Sequence, residues 1–142
     1  MERDFRRKNP AKIRALRIPD IFEAAGLLVE AGLCERKSLV KRLRWLAKHH
    51  RQTCYVAKSD GKLVGVLLAC YTGFHVFLVQ MAVASGTRGK RIGLALHNRL
   101  LRSARKLGAK GIIVDSWLSS VGFYYKLNYR MPGVVFLINN FK

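Results

Sequence analysis

The 142-residue chain predicts an α/β fold, α+β in the sense of one mixed sheet flanked by helices, and three observations carry that prediction. Apolar residues alternate in several short runs, as half-buried strands require. In other runs they recur every three or four residues, as amphipathic helices require. The runs follow one another as β-α-α-β-β-β-α-β-α-β, an antiparallel stretch followed by two βα units. The length suits one core and not two ordinary domains, so residues 1–142 are read as a single domain with residues 1–10 as a basic, disordered arm.

The elements can be justified in order. Lys12 to Ile18 alternates and reads as a strand. Asp20, with Glu23 three residues on, has the pattern of a capping box, opening a helix from Ile21 to about Ala31 that stops at Gly32. A second helix, Glu35 to about His50, aligns Leu39, Leu43, Leu46 and Ala47 on one stripe and is otherwise strongly basic. Thr53 to Ala57 and Leu63 to Tyr71 read as strands joined by Asp60-Gly61, a strong hairpin signal. Phe74 to Ala84 is a long strand, and the helix Ile92 to Lys106 ends at Gly108. Gly111 to Asp115 is a strand, Ser119 or Ser120 caps a short helix through Leu127, and Gly133 to Phe141 is expected as the last strand.

Composition narrows the function classes. The net charge is +19, and after Asp60 the only acidic side chain is Asp115, against twelve Lys and Arg. Such a field favours anionic partners: a phosphate-bearing cofactor, RNA or another polyanion. No apolar run reaches the length of a membrane span and no signal-peptide core follows the basic start, so a cytoplasmic location is expected. Cys34, Cys54 and Cys70 lack metal-ligand spacing and read as free thiols, and His49 and His50 cannot chelate one ion from adjacent helical positions. No metal site is expected.

The stretch 82–96 carries the chemistry. A strand breaks into Arg88-Gly89-Lys90-Arg91-Ile92-Gly93 and resumes at helical spacing. Glycines allow close backbone approach, a helix start presents unpaired N–H groups, and three cations crowd one turn, so the loop reads as a phosphate cradle. It lacks the Gly-Lys-Ser/Thr ending of a P-loop.

With the element order, two motifs resemble the GNAT superfamily of acyl-coenzyme A dependent N-acyltransferases over nearly the whole chain. The loop is similar to that family's Arg/Gln-x-x-Gly-x-Gly/Ala, with Arg91 in place of the middle glycine. Arg91 fits the cradle if its φ stays negative and its guanidinium swings outward. Phe123-Tyr124-Tyr125-Lys126-Leu127-Asn128-Tyr129 resembles Phe-Tyr-x-Lys-Leu-Gly-Phe, and Asn128 is the other residue that tolerates a left-handed helix terminus. Where the family often carries Asn and Ala before the tyrosine, this chain has Trp117 and Ser120.

The resemblance implies a central, mostly antiparallel, splayed sheet and direct attack of an amine on the thioester of acetyl-CoA. It implies cofactor contacts at Met81, Ala82 and Val83, whose N–H groups a bulge near the end of the strand would free. Further contacts are implied at Arg88, Gly89, Lys90, Arg91, Ile92, Gly93, Leu94, Ser120 and Tyr124. Tyr124 is the candidate general acid, because a phenol stays protonated at neutral pH and can protonate a departing thiolate. No base stands out; Glu30, which the resemblance sets beside the acceptor pocket, and His75 are the candidates.

The expected activity is an acetyltransferase acting on an amine acceptor that is not polycationic, since +19 repels polycations. Two alternatives remain: a tRNA-linked acetyltransferase, as the resemblance allows, and a non-catalytic RNA-binding module built on the arginine-rich start and the basic helix. A homodimer is compatible with either.

Overall fold

The computed structural model describes residues 11–87 and 90–141. Five strands, β1 (Lys12–Ala15), β2 (Tyr55–Ser59), β3 (Lys62–Tyr71), β4 (Val76–Val83) and β5 (Ile112–Val114), form one sheet in sequence order. The first three junctions are antiparallel and β4–β5 is parallel. The helices are α1 (Ile21–Glu30), α2 (Leu39–His49), α3 (Ile92–Leu107) and α4 (Val121–Lys126), with 3-10 turns at Ile18–Asp20, Ser85–Thr87 and Leu118–Ser120. The mixed sheet flanked by helices is the architecture that the sequence predicts.

The sheet separates two apolar layers. Val56, Val66 and Leu68 point to the side covered by Leu28 of α1 and Leu43 of α2. Tyr55, Leu67 and Leu78 point to the other side, against Leu96 and Leu100 of α3. Because both faces of β3 are covered, its sequence is an unbroken apolar run rather than a clean alternation. Gly65 lets α3 lie directly on that strand, since a Cβ there would stand 2.9 Å from Ile92 Cγ2 and 3.0 Å from Leu96 Cδ1. Asp60 and Gly61, both at positive φ, make the tight β2–β3 turn.

Four expectations are corrected. Asp20 does not cap α1: the residue is 1% exposed, and its carboxylate accepts two bonds from Arg14 at 2.6 and 2.7 Å and the Arg17 N–H at 2.9 Å. A 3-10 turn begins two residues before Asp20, which moves the carboxylate from the cap position to the third residue of a turn that starts after Arg17. Glu23 instead accepts the Leu63 N–H at 3.2 Å. The second helix starts at Leu39 rather than Glu35, because Ser38 takes the left-handed conformation at φ 62°. The expected final strand is absent: residues 133–141 carry β-forming side chains but join no ladder, and most of these lie exposed, with Phe136 stacked on Phe77. Strand propensity alone does not make a strand where the backbone meets no edge.

Candidate active site

The sheet opens where β4 gains a residue. Leu68 pairs with Gln80 and the next residue, Ala69, pairs with Leu78, so Val79 is an extra residue bulged out of the β3–β4 ladder. The parallel β4–β5 pairing stops at the same level, at Leu78 opposite Val114. Beyond it the strands diverge around a cavity of about 350 Å³. Its β4 wall is Leu78 to Met81, its β5 wall Val114 to Trp117, and Ser120, Tyr124 and Leu33 complete it. The bulge therefore sits at Val79, upstream of the Met81–Val83 stretch where the sequence places it. From Val79 on, the β4 edge that faces β5 has no ladder partner among the described residues.

Tyr124 lines this cavity. It is 9% exposed, its ring is held edge-on by Phe123 and Tyr129 at 5.2 and 5.3 Å, and its hydroxyl makes no hydrogen bond among the described residues. Burial, and secondarily the charge of Asp115, push its pKa above the ordinary phenol value. It is a protonated donor at neutral pH with an unspent O–H.

Behind it lies a polar pair that sequence reasoning missed. His97 is 2% exposed on α3, its Nε2 is 2.7 Å from the Tyr129 hydroxyl, and its Nδ1 has no partner among the described residues. Burial lowers the His97 pKa, so the ring is neutral. Burial likewise raises the Tyr129 phenol, which stays protonated. The only advance signal was His97 standing between Leu96 and Leu100 on an otherwise apolar helix stripe.

The proposed cradle lies at the start of α3. Arg88 and Gly89 lie outside the described residues. Lys90 and Arg91 are exposed, and among the described residues no side chain caps the first N–H groups of α3 at Ile92, Gly93 and Leu94. Arg91 departs from the expected negative φ: it is left-handed at φ 57°, the conformation a glycine would hold, at a cost of about 1 kcal/mol. Asn128 at φ 68° fills the other glycine position as expected. A Cβ on Gly93 would lie 3.8 Å from both Phe123 and Val83, which shows how closely α3, α4 and the end of β4 converge. Ile92 and Ala82 are buried in the two apolar layers and Val83 is half-buried. The negative φ on which the fit of Arg91 rested is not met, so the reading of this turn as a pyrophosphate cradle rests on its exposed cations and on a helix start that no side chain caps among the described residues.

The structure thus brings Met81, Ser120 and Tyr124 to one cavity. It does not bring Glu30 or His75 there. Glu30 ends α1 exposed, and Leu33 supplies the wall on that side. His75 precedes β4, at the end of the β4–β5 pairing away from the opening. Asp115, which follows β5 directly, lines the cavity instead. Its position at the carboxyl end of the strand expected over Gly111 to Asp115 was the sequence signal for it.

A second concavity, about 580 Å³, lies between the end of β1 and α2, sharing no lining residue with the first. Arg17, Arg44, Lys48 and Arg51 line it over a floor of Leu16, Ile18 and Ala47. None of the four cations forms a salt bridge among the described residues. Nearby, Trp45 is exposed and packs against His49 and His50 at 5.0 and 5.1 Å.

The cysteines take no part in either concavity. All three are free, and burial pushes the Cys54 thiol up to about 12. No helix among the described residues is long and apolar enough to cross a membrane.

Comparison with known proteins agrees with this geometry. Residues 21–129 match the family model described as the acetyltransferase (GNAT) family. Among solved structures, a glucosamine-6-phosphate N-acetyltransferase from Arabidopsis thaliana superposes with a TM-score of 0.71 at 18% identity, covering 92% of this chain and 99% of that one. A ribosomal-protein-alanine N-acetyltransferase from Brucella melitensis biovar Abortus 2308 gives 0.74 at 19% identity, over 92% and 99%. The aminoglycoside N-acetyltransferase AAC(6')-Iy, solved with a CoA-based bisubstrate analogue, gives 0.78 at 15% identity, over 94% and 100%. At such identities the structural likeness speaks for the fold. No curated protein matches the sequence.

Proposed function

From the premise that this chain belongs to the GNAT acetyltransferase family and is an acyltransferase, we propose that it moves an acetyl group from acetyl-CoA to the nitrogen of an amine acceptor. The observation that carries this reading is Tyr124: a buried phenol with an unspent O–H, facing a cavity where β4 and β5 part. A leaving thiolate needs a proton, and a phenol kept protonated by burial can supply it. The unpaired β4 edge from Val79 on offers backbone donors for the carbonyl oxygen as it gains charge. Lys90, Arg91 and the uncapped N–H groups of α3 would hold the pyrophosphate. A cavity of about 350 Å³ that must also admit an acceptor favours a short acyl group.

Calorimetry with acetyl-CoA and release of free thiol in the presence of an amine test the reading. Tyr124→Phe is expected to lower turnover about 100- to 10,000-fold while leaving cofactor affinity within twofold of about its original value. Unchanged turnover would remove Tyr124 from the chemistry, and absence of acetyl-CoA binding would remove the reading itself.

A second reading has its own observation. The groove beside α2, with four cations that form no salt bridge among the described residues and an exposed indole nearby, suits a polyanion such as single-stranded RNA. It describes where an anionic partner docks and does not compete with chemistry in the cavity.

A further inference from the structure

The charge of the cavity runs opposite to the charge of the chain. Of the residues that line it, Asp115 alone is charged in a protein of net charge +19, and no Lys or Arg reaches the lining among the described residues. Its carboxylate makes no hydrogen bond or salt bridge among those residues, although cations abound on the surface. β5 fixes the position, since Val114 is the last residue paired with β4 and Asp115 is the first beyond it. Two residues on, Trp117 turns an indole 75% exposed into the same lining. An unpaired carboxylate beside an exposed indole is a pairing that attracts an organic ammonium, through charge on one side and the ring face on the other. Leu33 and Val79 offer apolar surface alongside.

We infer that Asp115 and Trp117 form the ammonium-binding end of the acceptor site, so that the acceptor is a small primary amine arriving as a monocation, with an apolar body and no anionic group. This inference rests on the acyl-transfer reading. It revises what net charge suggests, because the long-range field disfavours polycations while the cavity itself selects for a single positive charge.

The protons balance as follows. The ammonium N–H bond breaks and its proton passes to the Asp115 carboxylate, which later returns it to water. The neutral nitrogen forms a bond to the thioester carbonyl carbon and loses a second proton to water, and the carbon–sulfur bond breaks with its electron pair on sulfur. Tyr124 protonates that sulfur and recovers a proton from water. The net change is one ammonium and one acyl thioester converted to one amide, one thiol and one released proton. Asp115 and Tyr124 are the only titratable groups lining the cavity among the described residues, and the charge of the first already reaches the second.

The test uses the whole chain, acetyl-CoA and three probes: 2-phenylethylamine, glucosamine 6-phosphate and spermidine. The expected result is that 2-phenylethylamine has the highest kcat/KM. Asp115→Asn should lower that kcat/KM at least about 100-fold at neutral pH, and the variant's remaining rate should climb with the ionisation of the amine itself. Trp117→Ala should raise KM about two- to fivefold with kcat held. Preference for glucosamine 6-phosphate or spermidine, or an Asp115→Asn rate equal to the original, overturns the inference. Ligand-observed NMR of 2-phenylethylammonium without any coenzyme A reads the subsite alone. Line broadening by the original chain and not by Asp115→Asn supports it, whereas equal broadening, or none, overturns it. Failure of acetyl-CoA to bind in calorimetry is a separate result that strikes the acyl-transfer reading.

Discussion

Among the described residues, the cavity between β4 and β5 is lined by one carboxylate and no cation, whereas the groove between β1 and α2 gathers four cations and no carboxylate. Each has a buried polar support behind it. The groove wall at Arg17 is held by Asp20, which also pairs with Arg14 and has Lys58 at 3.6 Å. The cavity's Tyr124 is backed by Tyr129, which His97 holds by its hydroxyl. The contrast teaches that a net charge describes how a chain is approached and not what its site accepts. The two supports also differ in kind, one ionic and one neutral, and so respond to different substitutions and different ranges of pH.

The largest effect is expected at the ionic support. Asp20→Ala removes the carboxylate that Arg14 and the Arg17 N–H share, and is expected to cost about 3 kcal/mol of stability in urea denaturation. Burial opposes ionisation of Asp20, but bonds from Arg14 and Arg17 and the nearby charges outweigh it and hold its pKa below the ordinary carboxylate value. A depressed pKa in the folded state means that its stabilisation is present above the unfolded value of about 4 and lost as pH falls through the folded one. The original chain should therefore weaken on acidification in that range and Asp20→Ala should be flatter. Equal stability of the two at neutral pH would show that the ion cluster contributes nothing to the fold.

Neutralising the groove should separate the two regions more gently. Replacing Arg44, Lys48 and Arg51 together by Gln is expected to lower the slope of log affinity against log salt by about 2 for a short single-stranded RNA, since each phosphate contact contributes about 0.7. Acetyl transfer in the cavity should not change. A slope unaltered by the triple substitution would mean that RNA, if bound, is held elsewhere.

Much of this was legible in the sequence where local rules decide. Asp60-Gly61 specified its hairpin, Gly108 ended α3, and the motif around Tyr124 marked a residue that does face the cavity. What escaped was set by distant partners. Asp20 and Glu23 obey a capping pattern, yet Arg14 and the Leu63 N–H take their carboxylates. The alternation from Phe77 to Val83 is the same whether Val79 or a later residue is the extra one, because β3 sets the register. Asp115 stood in the sequence only as the last residue of a strand, because its meaning depends on where β4 and β5 stop pairing. The run Val134 to Ile138 has a strand's composition, and composition could not say that no edge would receive it.

The smallest effect should come from the neutral support, and it is the one that a single substitution would misreport. Tyr129→Phe strips His97 of its one hydrogen-bond partner among the described residues and leaves both ring nitrogens buried and unbonded there, which should cost about 1–2 kcal/mol. His97→Leu combined with Tyr129→Phe replaces both polar groups by apolar ones and should recover most of that loss, so the double-mutant cycle is strongly non-additive. The pH dependence points the same way. Burial depresses the His97 pKa below its ordinary value of about 6.5, so the unfolded chain binds the extra proton first. Stability should rise with pH across the interval between the two values, and His97→Leu should abolish that rise while the Asp20 response at lower pH persists. A cycle in which the two substitutions simply add would mean that the pair is two independent packing residues, and Tyr124 would then lean on Tyr129 by ring contact alone.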